Sequence, residues 1–411
     1  MSEKNQKKES VNLPKRGIYG LALKAARPFI IKKFGVTIKK EGVENLKPPY
    51  VVLANHLSRI DWLLVGISFW PDVLNVVVSR YYYSNPKLRP LLKLTGAIPK
   101  DQFAPDLAAV RNIMSVIKRG GVVMLFPEGR TTPHGLSETF EYSTVKLLKH
   151  LGVPVVCMHQ DGTHLSNPKW ASDYRRGRID ITVKPLFEGG ELKKMDEDEI
   201  FARMCATLYS DEYKWQEKNH VLFKSKHIAK GLDGVLYKCP KCGADFTTVA
   251  DDTSIRCEAC GNGATLDNYY NLTPFDKKCV IPKNIGQWFL WQKQQERLAI
   301  SQNEHFLLTD GAVFREAPSE GKPLEPVGKG TITLNREGLF YSGTRHGEYF
   351  ELLIPLAALP AVPYVPGRSF EVYYNKAAYS FIPDNKKSTQ RWSLVAEQLY
   401  DQVIGTKNSP L

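Results

Sequence analysis

The sequence predicts a layered α/β domain, then a small module organised by cysteines, then a β-rich C-terminal domain. Three observations carry this expectation. Between Tyr50 and Asp180, apolar β-branched runs alternate with amphipathic stretches of helical length, the spacing of strands and helices in an α/β layer. Residues 237–268 hold two Cys-x2-Cys pairs. From His305 onward, runs rich in β-branched and aromatic residues are separated by turn residues, a strand texture.

A chain of 411 residues with 43% hydrophobic content has room for two or three domains with real cores. No run reaches the ~18–20 uninterrupted apolar residues that a membrane span needs. Lys24, Arg27, Pro28 and Lys32 interrupt the N-terminal candidate, and Asp61 and Asp72 bound the run Trp62–Trp70. Met1–Asn12 is too polar for a secretory signal. The expected location is therefore cytoplasmic, peripheral on the inner face of the membrane. The net charge of +13 asks for an anionic partner, whether nucleic acid, acidic lipid or a phosphorylated substrate. Residues 1–48 hold 12 Lys and Arg against 4 Glu, and residues 1–16 read as a basic disordered tail. Seven cysteines, an odd number, argue against a disulfide framework.

Residues 17–35 read as a helix. Ile18, Ala22, Ala25 and Phe29, with Tyr19, Leu23, Ala26 and Ile30, form a wide apolar face, and Gly20, Lys24 and Arg27 fall opposite. Pro28 kinks or splits it. Such a helix can lie in the interface of an anionic bilayer or pack on its own domain. Strands are expected at 50–54, 75–79, 121–126, 153–157 and 178–184. A helix starts at Pro105-Asp106, with Leu107, Val110, Met114 and Ile117 as its apolar stripe and Gly120-Gly121 as its stop. A second runs from Leu136 to His150 and ends at Gly152. Residues 17–215 form the first domain, 216–236 a linker, 237–268 the cysteine module, 269–300 a connecting helix and 301–411 the β domain. That last domain shows strands at 331–334, 338–341, 349–354, 370–374 and 379–382, and closes with a helix at 389–404.

Two segments carry chemistry. Asn55-His56-Leu57-Ser58-Arg59-Ile60-Asp61 follows Val51-Val52-Leu53-Ala54, and Phe126-Pro127-Glu128-Gly129-Arg130 follows Val122-Val123-Met124-Leu125. Two short strands that end in ionisable residues suggest one active site at one sheet edge. His56 and Asp61 would not meet on a straight helix. They meet if His56 lies in the loop after the strand and Asp61 in the first turn of the next helix. Asp61 then orients the imidazole and stabilises its protonated form, and the other ring nitrogen takes a proton from a substrate hydroxyl. Ser58 as an enzyme nucleophile is the less favoured arrangement. Gly129 permits a tight turn. Arg130 and the hydroxyls after it are candidates for an acceptor phosphate. Glu128 is a candidate for acceptor hydroxyls or a neighbouring basic group.

These segments resemble the motifs of the glycerolipid acyltransferase family, known best from 1-acyl-glycerol-3-phosphate acyltransferases, over about residues 17–215. Asn55-His56 through Asp61 resembles the first motif, Phe126-Pro127-Glu128-Gly129 the third and Val153-Pro154-Val155-Val156 the fourth. Gly96-Ala97-Ile98-Pro99-Lys100-Asp101-Gln102 stands at the second, with Gln102 where the family has an arginine for the acceptor phosphate. Lys100, two residues earlier, is the substitute cation. The resemblance implies transfer of an acyl group from acyl-CoA or acyl carrier protein to a lysophospholipid acceptor, 1-acyl-glycerol 3-phosphate (lysophosphatidate). It implies His56 as general base, no cofactor for catalysis, and an anionic membrane surface reached through the helix at 17–35. Nucleic acid is not the expected partner. The competing readings are an acyltransferase for another lysophospholipid, or a non-catalytic lipid- or nucleic-acid-binding protein on the same fold.

Cys239-x2-Cys242-x14-Cys257-x2-Cys260 has the spacing of a zinc ribbon. Four thiolates close the coordination sphere, so the zinc is read as structural. Its removal is expected to unfold 237–268 and spare the His56 site. The C-terminal domain resembles a pleckstrin-homology-like fold by strand pattern alone. Lys329, Arg336, Arg345, His346 and Arg368 are its candidates for a lipid headgroup, against a plain scaffold role.

Overall fold

The structure, a computed structural model, describes residues 11–14, 16–317, 322–375 and 377–405. The first ten residues of the expected tail and the end of the last predicted domain lie outside the described residues. The first part of the chain runs α1 (Arg16–Phe34), β1 (Val36–Lys40), β2 (Tyr50–Ala54), α2 (Asp61–Phe69), β3 (Leu74–Ser79), α3 (Arg89–Leu94) and β4 (Ile98–Lys100). It continues with α4 (Leu107–Lys118), β5 (Val122–Leu125), α5 (Ser143–Leu151), β6 (Val155–Asp161), α6 (Thr163–Ser166), β7 (Ile179–Phe187), α7 (Glu197–Leu208) and α8 (Glu212–Asn219). The strands form one sheet in the order β1-β7-β6-β2-β5-β3-β4.

This is the layered α/β arrangement the alternation predicts. β2 through β6 run parallel, while β7 lies antiparallel to β6. β2 and β5 are neighbours, with Val51 beside Val123 and Leu53 beside Leu125. The loops after Ala54 and Leu125 therefore leave the sheet at the same edge. Every position of β2 is buried. Val51 and Leu53 pack with Ile113 and Val116 on one face, and Val52 and Ala54 with Leu64 and Ile67 on the other. Burial on both faces explains the continuous apolar run, since a half-exposed strand would alternate.

Several expectations need correcting. Asp106 caps α4 from outside, its carboxylate accepting from the Ala109 N–H at 2.9 Å. α4 buries Ala109, Ile113, Val116 and Ile117, whereas Leu107 is 71% exposed and Met114 faces solvent. Of the expected stripe Ile117 is buried and Val110 half-buried; both sides of this helix are apolar, so periodicity alone set the buried face partly out of place. α5 begins at Ser143, because residues 136–142 form a loop that ties Glu138 to Glu128. Residues 11–14 do not behave as a disordered tail. Val11 and Leu13 pack on the core, and the Asn12 carbonyl accepts from the Asn75 amide at 2.9 Å. The linker at 216–236 contains the end of α8 and buries Phe223, Ile228, Leu232 and Val235.

α1 continues through Pro28 without a break. Leu23, Ile30 and Phe34 pack on the sheet, and Arg27 turns inward to donate to the Ile67 carbonyl at 3.1 Å. The outward side exposes Leu21, Phe29, Lys24 and Lys32. Among the described residues no helix is long and apolar enough to cross a membrane.

The cysteine module is an antiparallel sheet of β8 (Thr248–Ala250), β9 (Ser254–Cys257), β10 (Gly263–Leu266) and β11 (Leu272–Pro274). The connecting segment is helical only from α9 (Ile285–Ser301). Ile255 and Leu266 of this sheet share one core with Leu136, Leu165, Leu232, Val235 and Trp288. The module is thus wedged against the α/β layer.

The C-terminal sheet contains β12 (Leu308–Glu316), β13 (Glu325–Leu334), β14 (Gly338–Arg345), β15 (Glu348–Pro355), β16 (Tyr364–Val365), β17 (Ser369–Tyr374) and β18 (Ala377–Pro383). All pairings are antiparallel, in the order β15-β14-β13-β12-β18-β17-β16. β12 joins the two meanders, yet its sequence hides it: Asp310-Gly311 reads as a turn. A Cβ at Gly311 would run into the Asp384 carboxylate, so the glycine serves a close approach inside a strand. α10 (Thr389–Val403) closes the sheet, its Trp392 stacked on Phe370 at 5.4 Å between ring centres.

Candidate active site

The loop after β2 is folded around one carboxylate. Asp61, the first residue of α2, is fully buried. Its Oδ2 accepts from His56 Nδ1 at 2.9 Å, Leu57 N at 2.7 Å and Ser58 N at 2.9 Å. Its Oδ1 accepts from the Ser58 hydroxyl. Ser58 thus supports the carboxylate and is turned away from a nucleophile's role. The bond to Nδ1 fixes the imidazole with Nε2 outward, and the ring stays 21% exposed. The ring stacks on Phe126, centre to centre 4.0 Å, and Nε2 lies 3.3 Å from Thr131 Oγ1.

The residue before His56 has its own task. Asn55 accepts from Gln160 N at 2.9 Å and donates to Gln160 O at 2.8 Å, clamping the ends of β2 and β6. The sequence offered the asparagine as a motif letter only, and Gln160 carried no signal.

The segment from Phe126 to Arg130 lies beside the His56 loop, as the two strand ends predict. Glu128 is 1% exposed and does not face a ligand. Its carboxylate accepts from His56 N and Glu138 N, each at 2.7 Å, and so ties three loops together. Burial pushes this carboxyl well up, opposed by those two donors. Gly129 has φ +68°, and a Cβ there would meet Phe103 at 2.9 Å. The Gly129 carbonyl accepts from the Gln102 side chain at 2.7 Å. The residue that departs from the family's arginine therefore buttresses the turn.

Arg130 is not available in the way the sequence suggested. Its guanidinium bonds Glu138 and, from α10, Glu397 and Ser393 Oγ. Both edges of the fork are filled by carboxylates. Burial opposes the charge on Glu138, and Arg130 and His134 more than offset it, holding the carboxyl below its usual range. Lys100 ends β4 at the same sheet edge, its Nζ donating to the Asp101 carbonyl at 3.0 Å. Burial lowers its pKa, and Glu141, Asp106 and Asp101 act the other way.

A sequence profile described as Acyltransferase matches residues 37–159, which contain His56, Asp61, Glu128 and Asn55. Residues 37–159 form an acyltransferase-family domain. This domain is similar to the 1-acyl-sn-glycerol-3-phosphate acyltransferase of Pseudomonas aeruginosa, 28% identical over 156 residues, which are 37% of this chain and 59% of that one. The enzyme of that name from Limnanthes douglasii is 29% identical over 162 residues, 38% of this chain and 56% of its own. The chain thus spans less than two thirds of the length of these relatives. The solved 1-acyl-sn-glycerophosphate acyltransferase PlsC of Thermotoga maritima aligns at 19% identity with a TM-score of 0.40, covering 48% of this chain and 79% of that chain.

The ribbon cysteines fall outside residues 37–159 in the sequence. The sulfurs of Cys239, Cys242, Cys257 and Cys260 all fall within 4.8 Å of one another. Cys239 and Cys260 are 3.7 Å apart, and Cys242 and Cys257 3.8 Å. Sulfurs about 2.3 Å from a tetrahedral ion sit about 3.8 Å apart, so the donor set fits a metal and is far too open for disulfides. Gly243 N and Gly261 N return to the carbonyls of Cys239 and Cys257, each at 2.9 Å. The Thr247 hydroxyl lies 3.2 Å from the Cys257 sulfur and the Asn262 amide donates to that of Cys239 at 3.7 Å, contacts suited to thiolates.

Proposed function

We propose that the protein transfers a fatty acyl group from acyl-CoA or acyl carrier protein to the hydroxyl of 1-acyl-glycerol 3-phosphate, in phospholipid biosynthesis. The observation that carries this reading is His56, pinned through Nδ1 by a buried Asp61 with Nε2 turned outward beside the Thr131 hydroxyl. The acceptor hydroxyl gives its proton to Nε2 as its oxygen attacks the thioester carbonyl. Asp61 stabilises the imidazolium that forms. When the tetrahedral intermediate collapses, the C–S bond breaks and the leaving thiolate takes the proton from Nε2. His56 is then ready again. The relatives' names support this acceptor. The test is a panel of glycerol 3-phosphate, lysophosphatidate and neutral lysolipids with labelled acyl thioester. Turnover is expected on lysophosphatidate, and none on any acceptor in the panel would end the reading.

The membrane contact is the outward side of α1, where Leu21 and Phe29 are 67% and 65% exposed beside Lys24 and Lys32. Apolar side chains flanked by lysines suit the boundary of an anionic bilayer, which supports a peripheral position on the inner face. Leu21→Glu with Phe29→Glu should weaken sedimentation with anionic vesicles by roughly tenfold or more, given the transfer free energy of two such side chains. Unchanged partition would remove α1 from that role. The ribbon cysteines hold a structural zinc, which supplies folding energy and no catalytic chemistry.

A further inference from the structure

Direct attack by an acceptor alcohol needs a base and its orienter, and no hydroxyl from the enzyme. The structure nevertheless places one at the base. Asp61 Oδ2 accepts the Nδ1 proton of His56 at 2.9 Å, so Nε2 presents a bare lone pair. Thr131 Oγ1 lies 3.3 Å from that nitrogen, and in this tautomer only the threonine can donate. A nucleophile and its base commonly stand about 2.6–3.2 Å apart, and farther without substrate. Thr131, His56 and Asp61 thus follow one another as nucleophile, base and orienter do in a hydrolytic triad. Ser58 cannot take the first place, because its hydroxyl donates to Asp61 Oδ1.

The contact is built into the backbone of both partners. Three residues before Thr131, the Glu128 carboxylate accepts from the His56 N–H at 2.7 Å. One residue after it, the Thr132 N–H donates to the His56 carbonyl at 3.0 Å. The turn is therefore tied to the base on both sides of Thr131. Gln102 holds the Gly129 carbonyl, and two carboxylates hold Arg130. Phe126 stacks on the imidazole at 4.0 Å between ring centres and limits its swing. β-Branching restricts the threonine rotamer as well. A hydroxyl that served only the turn would bond a nearby backbone group. The neighbouring Thr132 does so, its Oγ1 accepting from His134 N at 3.3 Å. Among the described residues Thr131 Oγ1 has no hydrogen bond besides the one to Nε2. Thr131 is half-buried, at a site that must admit a thioester in any case.

We propose that this chain also hydrolyses acyl thioesters when no acceptor is bound, through an acyl ester on Thr131. The inference rests on the acyl-thioester chemistry of the proposed function and adds a second activity to the same base. In acyl transfer the thioester carbonyl must come within bonding range of an oxygen whose proton passes to Nε2. Thr131 Oγ1 already stands at such a place. The Thr131 hydroxyl gives its proton to Nε2 as Oγ1 bonds to the carbonyl carbon. The C–S bond breaks, and the leaving thiolate takes that proton. The enzyme now holds an acyl ester. Water then gives a proton to Nε2 as its oxygen adds to the ester carbonyl. The bond from that carbon to Oγ1 breaks, Oγ1 recovers the proton from Nε2, and a free fatty acid leaves. Water is the only co-reactant, and no group changes oxidation state.

The test uses the full chain with palmitoyl-coenzyme A and no lysolipid. The parent is expected to release coenzyme A and palmitate. Acid-quenched samples should carry the palmitoyl mass on the peptide that contains Thr131. Thr131→Val should lower thiol release by roughly 10²-fold or more, as loss of a group acting in the chemical step does, and should carry no adduct. Thr131→Ser keeps the hydroxyl and should keep both. A second arm needs neither turnover nor a Thr131 variant: a fluorophosphonate probe should phosphonylate Thr131 in the parent and not in His56→Ala. Thiol release by Thr131→Val at the parent's rate would overturn the inference, because His56 would then be activating water directly. An adduct on Ser58 in place of Thr131 would overturn it too. A parent that acylates lysophosphatidate yet neither hydrolyses the thioester nor takes the probe on Thr131 would end this inference and leave the transfer reading standing. Hydrolysis with the Thr131 adduct in a parent that acylates no lysolipid would support this inference and end the other.

Discussion

His56→Ala should lower acyl transfer by roughly 10²–10⁴-fold, the usual contribution of a general base, and should leave the thermal midpoint little changed. The ring makes one stacking contact with Phe126, and its Nδ1 is one of several donors to Asp61. After truncation Asp61 Oδ2 keeps the Leu57 and Ser58 amides, so the loop retains its frame. Loss of rate with an intact fold therefore reports the imidazole itself. Asp61→Asn is a poorer probe, because an amide would turn a donor towards a pocket of donors and disturb the loop as well as the base. Acyl transfer by His56→Ala at the parent's rate, with labelled thioester and lysophosphatidate, would remove His56 as the base.

Loss of the ribbon metal should be the most damaging change to stability. Structural zinc in small peptides contributes about 10–16 kcal/mol of apparent binding free energy at neutral pH. A module embedded in a larger core should lose less, yet Cys239→Ser is expected to destabilise by about 4 kcal/mol or more. The sequence suggested that such unfolding would stop at residue 268 and spare the active site. The packing argues otherwise. Ile255 and Leu266 share a core with Leu136 and Leu165, and His134 stacks on Phe289 of α9 at 4.0 Å. Arg391 of α10 reaches back to Asp245 at 3.1 Å. Activity should thus fall together with the ribbon. Elemental analysis with calorimetry of the parent and Cys239→Ser checks this. One zinc per chain in the parent and a lower unfolding temperature in the variant are expected, and an unchanged temperature would contradict the structural role.

How much of this was legible depends on how local each cause is. The paired strand ends were readable because β2 and β5 are buried on both faces and carry uninterrupted apolar runs. The His56 and Asp61 pairing was readable because five residues suffice for a loop to fold back on a helix start. The ribbon followed from cysteine spacing. What failed depends on distant chain. Arg130 looked like a free ligand because Glu397 lies 267 residues away. Glu128 looked like a ligand because the amides it serves belong to other loops. The linker at 216–236 read as a mere connector, but its scattered apolar residues fill a core shared with Leu136, Trp170, the cysteine module and α9.

The bond from Arg130 to Glu397 also bears on how this chain can be dissected. A fragment ending before α10 would keep every motif of the acyltransferase domain and lose the partner of a guanidinium that is only 10% exposed. That guanidinium follows Gly129 directly, and Thr131 next to it touches the base. The turn would then carry a buried charge with half its compensation gone, a more disruptive state than losing the whole pair. The smallest stable unit around the acyltransferase-family residues 37–159 is therefore expected to include the last helix. Grafting its catalytic segment onto another chain would require bringing Glu397 along.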